Sequence, residues 1–255
     1  MKKISILGFA IFALLTACNN TNQEEQKTQP EKQYKKTLLV IGDDRSGSTF
    51  GIRKLTAEDY KMLLTEISKQ GGGTVAVALI GNPEPQSWEP FILKIPELSD
   101  TTWFDTEDRD ITMTERTQIL NSNKKIIQEN ENKLISAQNL INQFVDSIIM
   151  PKVINYKPNG PDMTNLDESI KRINILLRTP IFSDYDKIII AIFSDGKNQP
   201  LNKEKPISNT IESPDALVYL IGWNENTDCF KVGSVITLSS KEIFMDEFNN
   251  NIKKE

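Results

Sequence analysis

Thr37-Leu38-Leu39-Val40-Ile41-Gly42-Asp43-Asp44-Arg45-Ser46-Gly47-Ser48 is the stretch that decides the fold. The run up to Ile41 has no alternation of apolar and polar residues, as expected of a strand buried on both faces. Gly42 and the two aspartates then mark a polar loop at the strand's carboxyl end. A strand covered on both sides calls for helices on both sides, so the next question is what flanks it.

Working outward, Thr56-Ala57-Glu58-Asp59 can cap a helix that carries Tyr60, Leu63, Leu64 and Ile67 on one face and stops at Gly71-Gly72-Gly73. A second buried strand, Thr74 to Ile80, follows. Phe91 to Ile95 reads as a third, and its bounding prolines, Pro90 and Pro96, suit an edge. Thr112 and Glu115 have capping-box spacing, and Leu120, Ile127, Leu134, Ile141 and Ile148 recur every seven residues until Pro151, which is expected to end one long helix or two with a break. Asn123 and Asn130 interrupt the seam, which argues for a helix packed on the domain rather than a long coiled coil.

Thr164 and Asp167 can cap the next helix, with Leu166, Ile170, Ile173 and Leu177 as its apolar stripe. Lys187 to Phe193 and Ala216 to Ile221 are further buried strands, the first ending at Ser194-Asp195-Gly196. A short strand around Val235 to Leu238 and a helix from about Lys241 to Ile252 close the chain. Helices alternating with strands apolar on both faces predict an α/β domain over 37–255: a doubly wound, mainly parallel sheet flanked by helices, with a helical insertion at about 97–160. In such sheets ligands bind at the carboxyl ends of the strands.

On that rim the expected elements deliver Asp44, Ser46 and Ser48 from the first loop, Thr164 before a helix, and Asp195 after a strand. This D-x-S-x-S, Thr and Asp-Gly set resembles the metal-ion-dependent adhesion site of the von Willebrand factor A domain, over Thr37 to about Ile252 and interrupted between Pro83 and Pro161. The resemblance implies a vWA-like (Rossmann-like) fold in which the five residues hold Mg²⁺ or Mn²⁺, Asp195 directly or through water. Hydroxyls and few carboxylates suit a hard cation that keeps some water. In the family they leave it electrophilic enough to accept an acidic side chain from a protein ligand, and the resemblance implies the same here. Two departures stand out. Gly160-Pro161-Asp162-Met163 precedes the threonine where the family usually has a glycine close by, and Arg45 places a cation within the loop meant to hold one.

Composition narrows the alternatives. There is no histidine, which removes the Ser-His-Asp and Cys-His routes to catalysis and the usual zinc, copper and iron ligands. The net charge is −5 and no basic run is longer than Lys35-Lys36, which argues against nucleic acid as a partner. Gly42 and Gly47-Ser48-Thr49 have the spacing of a phosphate-binding loop, but Ser48 stands where its lysine belongs and Asp43 and Asp44 would repel phosphate. Asp44 and Asp195 are the only paired carboxylates on the rim, and no activated nucleophile or base accompanies them, so the chain is not expected to be an enzyme.

The beginning of the chain supplies an address. Lys2 and Lys3 precede a run from Ile4 to Leu15 that is apolar apart from Ser5 and Gly8 and too short for a permanent membrane helix, and Leu15-Thr16-Ala17-Cys18 resembles the bacterial lipobox. Residues 1–17 are therefore expected to be a lipoprotein signal peptide, with Cys18 lipidated and 18–36 a flexible tether without aliphatic side chains from Asn19 to Lys36. With Cys18 acylated, Cys229 has no intrachain disulfide partner. The sequence thus predicts a lipid-anchored binding module of the bacterial cell envelope, with a metal-independent structural or assembly lipoprotein as the alternative.

Overall fold

β1 (Thr37–Asp44) is buried along its whole length and lies parallel between β2 (Gly73–Ile80) and β4 (Lys187–Phe193). This computed structural model describes residues 33–81, 90–104, 110–156, 163–182, 184–200 and 203–253. The expected signal peptide, Cys18, the tether up to residue 32 and Gly160 to Asp162 lie outside the described residues.

The six-stranded sheet has the order β3-β2-β1-β4-β5-β6. β3 (Phe91–Ile95) is the antiparallel edge next to β2, and β5 (Ile211–Ile221) and β6 (Phe230–Leu238) continue parallel from β4. The chain moves outward from β1 in one direction and then restarts at β4 on the other side. That reversal opens a crevice at the carboxyl ends of β1 and β4, the position at which Rossmann-like α/β sheets bind ligands.

Side-chain alternation divides the core into two layers. Leu39 and Ile41 face a cluster with α1 (Ala57–Gln70), the second half of α2 (Met113–Phe144), the π-helical segment Val145–Ile154 and α4 (Lys241–Ile252). Leu38 and Val40 face α3 (Leu166–Arg178), together with Trp223 and Cys229 of the connection into β6. The fold class is as expected: α/β, doubly wound, mainly parallel and flanked by helices.

The termini of α1 follow the sequence closely. Thr56 Oγ1 accepts from the Asp59 amide at 3.3 Å while Asp59 Oδ2 accepts from the Thr56 amide at 2.8 Å. The three glycines do more than stop the helix. A Cβ on Gly73, where φ is 133°, would lie 2.0 Å from the Thr37 carbonyl oxygen, so β1 and β2 can begin side by side only without one.

Four expectations are corrected. Pro151 does not end the long helix: α2 widens into the π-helical segment, where the Asn155 amide reaches back five residues to the Met150 carbonyl at 3.0 Å and the proline is accommodated. The cap of α3 is Asn165, whose Oδ1 accepts from the Glu168 amide at 3.0 Å, and its stripe buries Leu176 more completely than Leu177. β5 begins at Ile211 and β6 at Phe230, both earlier than the apolar runs suggest, because Pro214 lies in an irregularity between Ser213 and Leu217 and the early residues of each strand are largely exposed.

The fourth concerns the seven-residue seam. Ile141 is fully buried, but Leu120 and Ile127 are exposed, so only the second half of α2 packs on the domain. The first half is held by the two asparagines. Asn130 Nδ2 donates to the Ser99 carbonyl at 2.8 Å and its Oδ1 accepts from the Ser99 amide at 3.0 Å. Asn123 does the same for Thr102, at 2.8 Å in both directions. One heptad apart, they grip an extended segment as a neighbouring strand would.

Candidate functional site

The last two residues of β1 point to opposite faces of the sheet, and this separates two charges adjacent in sequence. Asp43 lies on the α1 side, in register with Phe193, and Asp44 on the α3 side, in register with Ile80. Arg45 Nη2 donates to Asp43 Oδ2 at 2.6 Å, and Lys54 Nζ lies 3.9 Å from Asp43 Oδ1 while donating to the Phe193 carbonyl at 2.9 Å. The loop's own cation is therefore turned toward Asp43. It does not compete for Asp44.

Asp44 is fully buried. Its Oδ1 accepts from the Ser46 amide at 3.0 Å and its Oδ2 accepts from the Ser194 hydroxyl at 2.7 Å. Burial nevertheless pushes its carboxyl above the usual range, outweighing those hydrogen bonds and the charge of Lys54. A carboxylate whose ionisation is costly in place gains more than an exposed one from a cation brought beside it.

The loop beyond it is short and tightly tied. Ser46 Oγ and Ser48 Oγ are 3.2 Å apart. Thr49 Oγ1 lies 2.8 Å from both the Asp44 and the Ser46 carbonyl oxygens and is buried, which pins the turn that presents the two serines. Thr164 is buried, and its carbonyl accepts from the Gln199 amide at 2.8 Å. Gly81 connects the two regions: the point where its Cβ would stand is 3.6 Å from the Met163 carbonyl and 3.9 Å from the Ser46 amide. With Asn165 acting as the helix cap, the Thr164 hydroxyl is not committed to that task.

Asp195 completes the rim. Its Oδ1 accepts from the Lys197 amide at 3.1 Å and its carbonyl accepts from the Asn224 amide at 3.1 Å. Ser48 and Asp195 line one open cleft of about 660 Å³ together with Lys197, Trp223, Asn224 and Thr237. The sequence reading missed Ser194, Thr49 and Lys54. Ser194 could have been found as the residue before the aspartate, on the opposite side of the strand from Phe193. It also missed Phe50, whose ring is 98% exposed immediately after the serine loop.

Among the described residues no three carboxylate, thiol or imidazole groups gather where a metal could sit. A cation here would rest on hydroxyls and one or two carboxylates. The donor set fits that role: adjacent oxygens around an octahedral Mg²⁺ are separated by about 3.0 Å, close to the spacing of the two serine hydroxyls.

No protein-family model and no curated protein matches the chain. Among solved structures, proximal thread matrix protein 1 from the mussel byssus is similar at 12% identity with a TM-score of 0.35, over 87% of this chain and 47% of that one. The chain thus spans about half the length of that protein.

Proposed function

We propose that the chain is a lipid-anchored, vWA-like binding module of the bacterial envelope that captures a protein partner through Mg²⁺ or Mn²⁺ at the sheet rim. The observation that supports this most is the buried Asp44 carboxylate, braced by Ser46 and Ser194 at the β1/β4 crevice, beside two hydroxyls at cis-ligand spacing. Ser46, Ser48 and Thr164 would offer neutral oxygens, and Asp44 and Asp195 charge, directly or through water. A cation so ligated keeps Lewis acidity for an acidic side chain of the partner. Phe50, exposed next to the loop, would give that partner an apolar anchor. The role of Cys18 as membrane anchor rests on the lipobox.

Manganese binding followed by electron paramagnetic resonance tests the reading. The signal of free aqueous Mn²⁺ should fall on adding the chain, and acetate, standing in for the partner's carboxylate, should tighten binding. An undiminished free signal would remove the metal from the account. A second reading, a metal-independent assembly lipoprotein, draws on Lys54, a part-buried ammonium that already places positive charge behind the rim carboxylates. It predicts a partner interaction undisturbed by chelator.

A further inference from the structure

Three large apolar side chains stand exposed on the projecting half of α2 and where it meets the domain: Leu120 at 58%, Ile127 at 51% and Ile135 at 64%. At 100° per residue they fall within about 80° of one another around the helix. Thr117, Lys124, Glu131 and Gln138 lie within the same arc. The segment gripped by Asn123 and Asn130 occupies the neighbouring face and leaves this one uncovered.

We infer that this face pairs with the same face of a second copy of the chain, antiparallel, about a two-fold axis passing between residues 127 and 128. The charge order argues for that occupant. Under this axis Lys124 meets Glu131 of the second copy, and the reciprocal pair forms at the other end. Leu120 meets Ile135, Thr117 meets Gln138, and Ile127 packs beside its own counterpart. A parallel pairing would set Lys124 against Lys124 and Glu131 against Glu131, which is repulsive. Lys125, off the stripe, is already engaged with Glu129 of its own helix at 3.7 Å, so it does not blur this pattern. The contact is isologous and closes at two copies. It extends over about 33 Å of helix from Thr117 to Gln138. The dimer would present two rims from one membrane, so a partner with two acidic sites would be held by both. The inference does not depend on metal at either rim.

Cysteine cross-linking of the full chain in membranes tests it, with the unsubstituted chain as background. Ile127→Cys should give a covalent dimer under mild oxidant, whereas Ser122→Cys, on the opposite side of α2, should stay at background. Cys229 is buried, and burial pushes its thiol up to about 11, so it adds little reactivity. In the Ile127→Cys chain, Lys124→Glu or Glu131→Lys alone should lower the dimer about tenfold, and the two together should restore it. Equal cross-linking at 122 and 127, or a double charge swap that fails to restore the dimer, would overturn the inference.

Discussion

The rim at β1 and β4 and the projecting half of α2 both face solvent, yet they are built in opposite ways. The rim buries charge: Asp43 and Asp44 are almost wholly enclosed; both Asp44 oxygens accept hydrogen bonds, whereas Asp43 accepts one from Arg45 through Oδ2 and its Oδ1 has only Lys54 nearby, at 3.9 Å. The arm exposes apolar surface and is anchored to the rest of the chain through two asparagine side chains. The geometry of the rim is thus enforced by the core of the fold. That of the arm rests on a few local hydrogen bonds, so the two regions should answer perturbation on very different scales.

The largest effect is expected at Gly73, at the end of the β1/β2 pair opposite the rim. Gly73→Ala places a methyl 2.0 Å from the Thr37 carbonyl at a φ of 133°, and should cost more than about 4 kcal/mol or prevent folding, as read by urea unfolding. A mild cost would mean that β1 and β2 can part at their starts. On the arm, Asn130→Ala removes two partly buried hydrogen bonds and should cost roughly 2 kcal/mol, whereas Asn123→Ala, more exposed, should cost under about 1 kcal/mol. In both variants hydrogen exchange should quicken at Ser99 or Thr102 with the β1 amides unchanged. Loss of protection in β1 would show that the arm is coupled to the sheet.

The two capping boxes give the finest comparison, because the same motif occurs in both settings. Asp59 at α1 is paired with Lys241 of α4; burial raises its pKa, but the Lys241 and Thr56 hydrogen bonds outweigh that and hold it below the usual value. Glu115 at α2 is lowered by the Thr112 hydrogen bonds alone and is fully exposed. A depressed carboxylate contributes stability above its unfolded pKa and loses it as pH falls through the folded one. The stability difference between wild type and Asp59→Asn should therefore be present at pH 7 and shrink as the solution is acidified toward pH 3, in chemical unfolding at each pH. The corresponding difference for Glu115→Gln should be smaller throughout. Equal pH dependence for the two would mean that Lys241 adds nothing to the α1 cap.

The sheet was legible because its central strands have no polar face: Thr37 to Ile41, Thr74 to Ile80 and Lys187 to Phe193 leave little choice but burial on both sides. The outer strands were less so. β5 opens with Ile211-Glu212-Ser213-Pro214-Asp215, where exposure removes the pattern and proline removes a donor. In the arm, the seven-residue repeat was correct as a helix signal, but it implied burial that only the second half achieves. Asn123 and Asn130 explain the difference, since an amide can satisfy both groups of one backbone residue, and the spacing alone does not say whose. On the rim, Asp44, Ser46 and Ser48 were readable from one loop, whereas Ser194 acts across 150 residues through a hydrogen bond that only the strand register reveals.

The proposed role of the rim depends on whether Asp44 and its hydroxyl neighbours hold a divalent cation. Thermal unfolding of the wild type and of Asp44→Asn, with Mg²⁺ titrated against a chelator, measures this directly. At about 100 times its Kd, Mg²⁺ should raise the wild-type Tm by roughly 5–10 °C and leave Asp44→Asn unmoved. An unshifted wild type, or a variant that shifts as far as the wild type, would contradict a cation held at this rim.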